Sequence, residues 1–250
     1  MKKFFKRLKR VLLFLFNSFN EIKKLLNEEG IVNIMMYRTM DWRHDGVFYF
    51  LGEYQGKRVF IKYMDDDTVP QNEWNAYNQL KQREKFQEKY FIECFFYRKF
   101  NNAGIVVSEY VKGKTLKEMK FLTKKTKEYV VRELNKVLDI LSDAKIVHRD
   151  INPSNIYFEN GNVRKLKIID FAYSTSTDEN SKLKETIKST GKLKGLNEDY
   201  IEKPFIWDDA FAMKKIVEEK LKLESNKISE KVGKLVYTAR KNQNSFQEDY

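Results

Sequence analysis

Apolar residues at Phe5, Leu8, Leu12, Leu15, Phe19 and Ile22 fall three or four positions apart, the spacing of one helix face, and the positions between them are largely basic. The longest unbroken apolar run there, residues 11–16, is far shorter than the roughly 20 residues a bilayer span needs. No small-residue cleavage site follows it, so the segment reads as neither a membrane span nor a signal peptide. From residue 31 the period becomes that of strands: Ile31–Tyr37, residues 46–51 and Lys57–Met64, with Glu53 to Gly56 as a hairpin turn in which Gly56 takes a positive φ. Pro70 stands near the start of a helix expected over residues 71–88. Strand character returns over 90–97 and 104–109, and a short helix is expected over 116–119. A long amphipathic helix over 126–144 carries Val130, Leu134, Val137, Leu138 and Leu141 on one face. Further helices are expected over 208–222 and 228–240, and the polar tail 241–250 is expected to fray. Strands first and helices second describe an α+β chain: a basic helix over 1–26, a sheet lobe over 27–111 and a helical lobe over 112–250. A cleft between the lobes is the expected place for a ligand.

Composition narrows the partners. The net charge is +12, and residues 1–24 hold eight Lys and Arg side chains against Glu21, more than half of the excess. A basic face opposite Phe and Leu suits an anionic membrane surface, so the N-terminal segment is expected to hold the protein peripherally at the cytoplasmic side of the cell membrane. The bland alternative is a helix that simply packs on the sheet lobe. Nucleic acid is disfavoured, because the aromatic residues beside the basic run form no base-stacking platform. The single cysteine, Cys94, excludes an internal disulfide, argues against a cysteine-based zinc site, and fits a reducing compartment.

The chemistry is concentrated in one stretch. His148-Arg149-Asp150 is followed by Asn155, and a short apolar strand then leads to Asp170-Phe171-Ala172. With each residue type at about a twentieth of an average composition, the first four residues alone would occur by chance in roughly one chain per thousand of this size. The pattern matches the general template for phosphoryl transfer, in which a carboxylate orients the acceptor hydroxyl and hard oxygen ligands hold Mg²⁺. Asp150 is the candidate catalytic carboxylate, and Asn155 and Asp170 are the candidate Mg²⁺ ligands. Lys62, on the strand Lys57–Met64, is the candidate clamp on the α and β phosphates of ATP. A lysine in an apolar cleft needs a counter-charge; Glu73 is the candidate, with Glu84 and Glu88 as rivals. Backbone groups of Glu109 and Val111 are candidates for holding adenine, and Gly46 for close approach to the phosphates.

Residues 31 to about 220 thus resemble the protein-kinase-like superfamily. By its small size, the strand Phe60-Ile61-Lys62 followed within eleven residues by Asn72-Glu73, the run Glu109-Tyr110-Val111-Lys112-Gly113 and Asp209-Ala210-Phe211-Ala212-Met213, the chain looks most like the bacterial heptose kinases of the lipopolysaccharide core. The resemblance implies a bilobal protein-kinase-like fold with a small antiparallel-sheet lobe and a mostly helical lobe. It also implies ATP and Mg²⁺ as cofactors and a glycan or lipid-linked sugar as acceptor. Asp209, with Asp208 as runner-up, would brace the catalytic loop backbone, and His148 would be structural. There are departures: no G-x-G-x-x-G precedes Lys62, Phe60 stands where a small residue is usual, Asn152 replaces the Lys usual in protein Ser/Thr kinases, and no A-P-E follows Asp170. Five lysines between 182 and 194 are candidates for steering a phosphorylated acceptor. The expected activity is ATP-dependent phosphorylation of a membrane-associated glycan. A protein Ser/Thr kinase with degenerate substrate elements and a non-catalytic pseudokinase module are the alternatives.

Overall fold

The computed structural model describes residues 18–37, 46–176, 178, 180–183 and 209–224. The chain divides into two compact units, Met1–Trp74 with Glu93–Tyr110, and Asn75–Ile92 with Val111–Tyr250. Residues 75–92, expected with the sheet lobe, therefore belong to the second unit.

In the first unit a helix, α1 (Phe19–Glu28), precedes strands β1 (Ile31–Tyr37), β2 (Val47–Tyr54), β3 (Lys57–Met64), β4 (Cys94–Phe100) and β5 (Ala103–Glu109). The strands form one antiparallel sheet in the order β1-β2-β3-β5-β4. Alternation along β3 sorts the side chains. Val59, Ile61 and Tyr63 enter a core with Phe50, Ile105 and Val107 and with Ile22 and Leu26 of α1, while Phe60 and Lys62 take the opposite face. Full burial of Ile22 and Leu26 contributes about 1.5–3 kcal/mol each. The β2–β3 turn has φ of 51° at Gln55 and 74° at Gly56, the pair of positive values that matches the twist of a tight hairpin.

The helix after β3, α2 (Thr68–Lys81), begins earlier and ends earlier than residues 71–88. Asp66 caps its start by accepting from Thr68 N–H, and Pro70 sits in the first turn, where a missing N–H costs nothing. Gln82 to Lys85 are all good helix formers, so propensity does not set its end. Phe86, the next apolar residue, stacks on Phe91 at 5.7 Å instead of continuing the helix. Strand β4 starts at Cys94 and not at residue 90, because Tyr90 and Phe91 are fully buried in the second unit's core.

That unit is built on α3 (Lys124–Asp143), capped by the Thr123 hydroxyl, with Val130, Leu134, Val137, Leu138 and Leu141 buried. Residues 116–119 form a hydrogen-bonded turn and not a helix, with Glu118 and Met119 N–H both donating to Thr115 O. Strands β6 (Gly113–Thr115), β8 (Ile156–Glu159) and β9 (Leu166–Ile168) form a small sheet in the order β6-β8-β9, and β7 (Ile146–Val147) pairs with β10 (Thr175–Ser176). The described chain ends with α4 (Asp209–Lys215) and a π-helical turn, Ile216–Leu221. The expected helix over 228–240, the tail, Asp208, and Phe5, Leu8, Leu12 and Leu15 lie outside the described residues. No helix among the described residues is long and apolar enough to cross a membrane.

Candidate active site

Lys62 pairs with Tyr49 on β2 and Val106 on β5, which fixes its side chain on the sheet face away from α1. Its Nζ donates to Glu73 Oε2 at 2.9 Å, and both side chains are largely buried. Glu73 is thus the partner, while Glu84 and Glu88 lie beyond Trp74 in the second unit. A buried pair is costly to desolvate and strongly destabilising to break from one side, so it marks a place where a fixed cation is wanted. Phe60, two residues before Lys62, stacks on Tyr49 at 5.5 Å and meets Tyr37 edge-on at 6.1 Å. Its bulk is directed along the sheet into its own aromatic group.

Gly46 has φ of 81°, and a Cβ there would overlap the Asp65 carboxylate, while Asp65 N–H donates to Gly46 O at 3.0 Å. The glycine thus has a local reason, and its neighbour is an acid. Burial raises the Asp65 carboxyl against the lowering effect of its bond from Tyr63, and burial followed by Asp65 pushes the Tyr63 phenol up to about 12. Residues 41–45, His44 included, lie outside the described residues. At the end of β5, Glu109 N–H donates to Glu93 O at 2.8 Å, so that donor is taken, and Tyr110 N–H donates to Arg58 O. Val111 falls in the second unit.

The second unit holds the rest. Strand β7 delivers the chain to His148, and the loop from there to β8 is braced by side chains. Asp209, 2% exposed, accepts from His148 N–H at 2.6 Å and Arg149 N–H at 2.9 Å. Those bonds hold Arg149 at a φ of 69°, a left-handed value a non-glycine residue seldom takes. Asp150 is gripped by two amides: Asn155 Nδ2 donates to its Oδ2 and to its carbonyl, both at 2.8 Å, and Asn152 Nδ2 donates to its Oδ1 at 3.0 Å and its carbonyl at 3.1 Å.

Asp170 follows β9 with φ 69° and ψ 66°, and leads into one 3₁₀ turn, Phe171–Tyr173. Asn155 O accepts from Ile169 N–H at 3.0 Å, which brings the backbones of the two candidate metal ligands together. Among the described residues no three His, Cys, Asp or Glu cluster as a metal site. One amide oxygen and one carboxylate nevertheless suit Mg²⁺, which fills its other positions with water and phosphate oxygen. The Asn155 amide is turned with its nitrogen on Asp150, so Oδ1 is the atom available to a cation. His148 is fully buried; its Nδ1 accepts from Asp150 N–H, so Nε2 carries the proton and donates to Ile169 O at 3.1 Å. Burial holds its pKa down, at about 4, against the opposing pull of Asp170, so the ring is neutral and structural.

Residues 46–192 match the protein kinase domain model, more than half of the chain. The chain belongs to the protein kinase domain family. Such a domain is a phosphotransferase that uses ATP and Mg²⁺ and has an alcohol group as acceptor. The kinase domain is 34% identical over 118 residues to a probable serine/threonine-protein kinase of Dictyostelium discoideum, covering 42% of this chain and 16% of that one. It is 27% identical over 144 residues to serine/threonine-protein kinase TIO of Arabidopsis thaliana, covering 55% and 11%. The kinase domain thus spans well under a quarter of the length of these relatives. The solved structure of the Cydia pomonella granulovirus kinase PK-1 is similar at 17% identity, covering 63% of this chain and 57% of that one, with a TM-score of 0.47. Both relatives are named as serine/threonine-protein kinases. By residue type Asn152 reads only as a departure from Lys; an Asn two residues before Ser154 with Pro153 between them is the sequence signal of the Asx turn that orients its amide.

Proposed function

We propose that this kinase domain transfers the γ-phosphate of ATP to serine or threonine hydroxyls of protein substrates. Asp150, held by Asn152 and Asn155 and braced through Asp209, orients the acceptor hydroxyl and takes its proton. Asn155 Oδ1 and the Asp170 carboxylate would hold Mg²⁺, which neutralises charge on the transferring group. Lys62, kept in place by Glu73, would bind the α and β phosphates. The observation that carries catalysis, as against a non-catalytic module, is the tethered Asp150 carboxylate together with an intact Lys62–Glu73 pair. The serine/threonine acceptor is supported by the names of the relatives. The sugar-acceptor reading leaned on Asn152, which has a local task in the loop, on the absence of an A-P-E after Asp170, and on the basic N-terminal run. Residues 1–17 of that run, and all but Lys182 of the lysines at 182–194, lie outside the described residues.

Labelled Mg-ATP supplied with a general protein substrate, and separately with a lipopolysaccharide core acceptor, tests the proposal. Phosphoserine or phosphothreonine should appear, and Asp150→Ala should abolish it while leaving the thermal midpoint near wild type. Label on the sugar and none on protein would overturn the acceptor. A binding module that excludes nucleotide would show no thermal shift, whereas ATP at a hundred times its Kd stabilises by about 2.7 kcal/mol.

A further inference from the structure

Resting on the assignment of Asp150 as the acceptor-orienting carboxylate, we propose that Asn152 is a positioning residue that has exchanged the charge usual at this place for an amide clamp on that carboxylate. The geometry is specific. Asn152 is 3% exposed, and its Oδ1 accepts from Ser154 N–H at 2.8 Å. That bond sets the sense of the amide: with the oxygen committed to a donor, the nitrogen faces Asp150, where it donates to Oδ1 and to the carbonyl oxygen. Asn155 N–H closes the turn on Asn152 O at 2.9 Å, and Asn155 Nδ2 takes the other carboxylate oxygen. The Asp150 carboxylate therefore has a different asparagine on each oxygen, both on one short turn.

A carboxylate rotates broadly about its last bond, and one hydrogen bond leaves the group free to swing about it. A second bond on the other oxygen fixes the plane, and phosphoryl transfer depends chiefly on such alignment. A lysine here would place a cation on a long, mobile stem and could hold a phosphate. Asn152 has neither the reach nor the charge, and its polar atoms are spent within the loop. Its contribution is geometric: it acts through Asp150 and touches no substrate.

Two variants of the full chain separate this role from that of a structural turn. Asn152→Asp keeps the acceptor for Ser154 N–H but cannot donate to Asp150. Asn152→Leu removes both and adds no charge. A loss of similar size in the two points to what they share, the missing Nδ2 donor, since the added charge is confined to one variant and the lost turn to the other. Both are expected to lower kcat by about ten- to a hundredfold, as small misplacements of reacting groups do, with KM for ATP within about twofold of wild type. The thermal midpoint should fall in both variants, because Leu loses the turn and Asp sets a buried carboxylate against that of Asp150, so kcat is measured well below either midpoint. Wild-type kcat in Asn152→Asp, or a loss confined to KM, would overturn the proposal. An active Asp150→Ala would instead strike at the underlying assignment. The clamp is also read without turnover: the side-chain amide signals of Asn152 in ¹⁵N–¹H spectra should move when Asp150 is changed to Ala, and unmoved signals would refute it.

Discussion

Replacing Asp209 by Asn changes almost no volume and tests the brace of the catalytic loop directly. In the native protein one buried carboxylate accepts two backbone N–H groups, at 2.6 Å from His148 and 2.9 Å from Arg149. Hydrogen bonds to a charged acceptor contribute about 1.5–3 kcal/mol each, against about 1 kcal/mol for a neutral one. In Asp209→Asn one oxygen remains as a neutral acceptor, and an amide NH₂ is driven against the other N–H, leaving a buried donor unpaired at a cost of about 1–3 kcal/mol. The variant also escapes the cost of burying a charge, which offsets part of this. A net destabilisation of about 2–4 kcal/mol follows. One of the two N–H groups flanking the left-handed Arg149 backbone loses its acceptor, so the loop is less firmly held and Asp150 should be displaced even in molecules that stay folded. Urea unfolding at pH 7 reads the first effect as a lower midpoint at unchanged slope. Turnover measured well below the midpoint reads the second, with kcat falling by more than tenfold. A midpoint shift worth under about 0.5 kcal/mol together with kcat within twofold of wild type would refute the brace.

His148 sets an acid limit on stability. Its folded pKa, about 4, lies below the ordinary 6.5, so the unfolded chain binds more protons between these values and stability falls as pH drops through that window. Wild type should lose about 3 kcal/mol more than His148→Leu between pH 7 and pH 4, and equal losses in parallel urea titrations would contradict the buried neutral ring. Tyr90→Phe removes the 2.6 Å bond to Glu133, a residue 3% exposed. Burial raises the Glu133 carboxyl, and the bonds from Tyr90 and Lys136 more than reverse this. The variant should unfold about 1.5–3 kcal/mol more easily at pH 7, with the difference shrinking as acid protonates Glu133.

The local pattern determined a good deal. The heptad-like face of α3, the alternation along β3 and the positive φ at Gly56 all follow from side-chain period and backbone sterics, which act within a few residues. The order His148-Arg149-Asp150, Asn155, Asp170 named the chemistry, because phosphoryl transfer needs those functional groups whatever surrounds them. The element ends were decided elsewhere. The pattern has strand character from residue 90, yet Tyr90 and Phe91 are buried in the second unit's core and Tyr90 bonds to Glu133, 43 positions away. Glu73 was one of three acids until the fold set its carboxylate against Lys62. Asn152 carries the clearest lesson: by residue type it was a missing lysine, and only the closed turn showed its amide holding Asp150. Periodicity is a property of neighbours in the chain, whereas a partner for a buried polar atom is a property of neighbours in space.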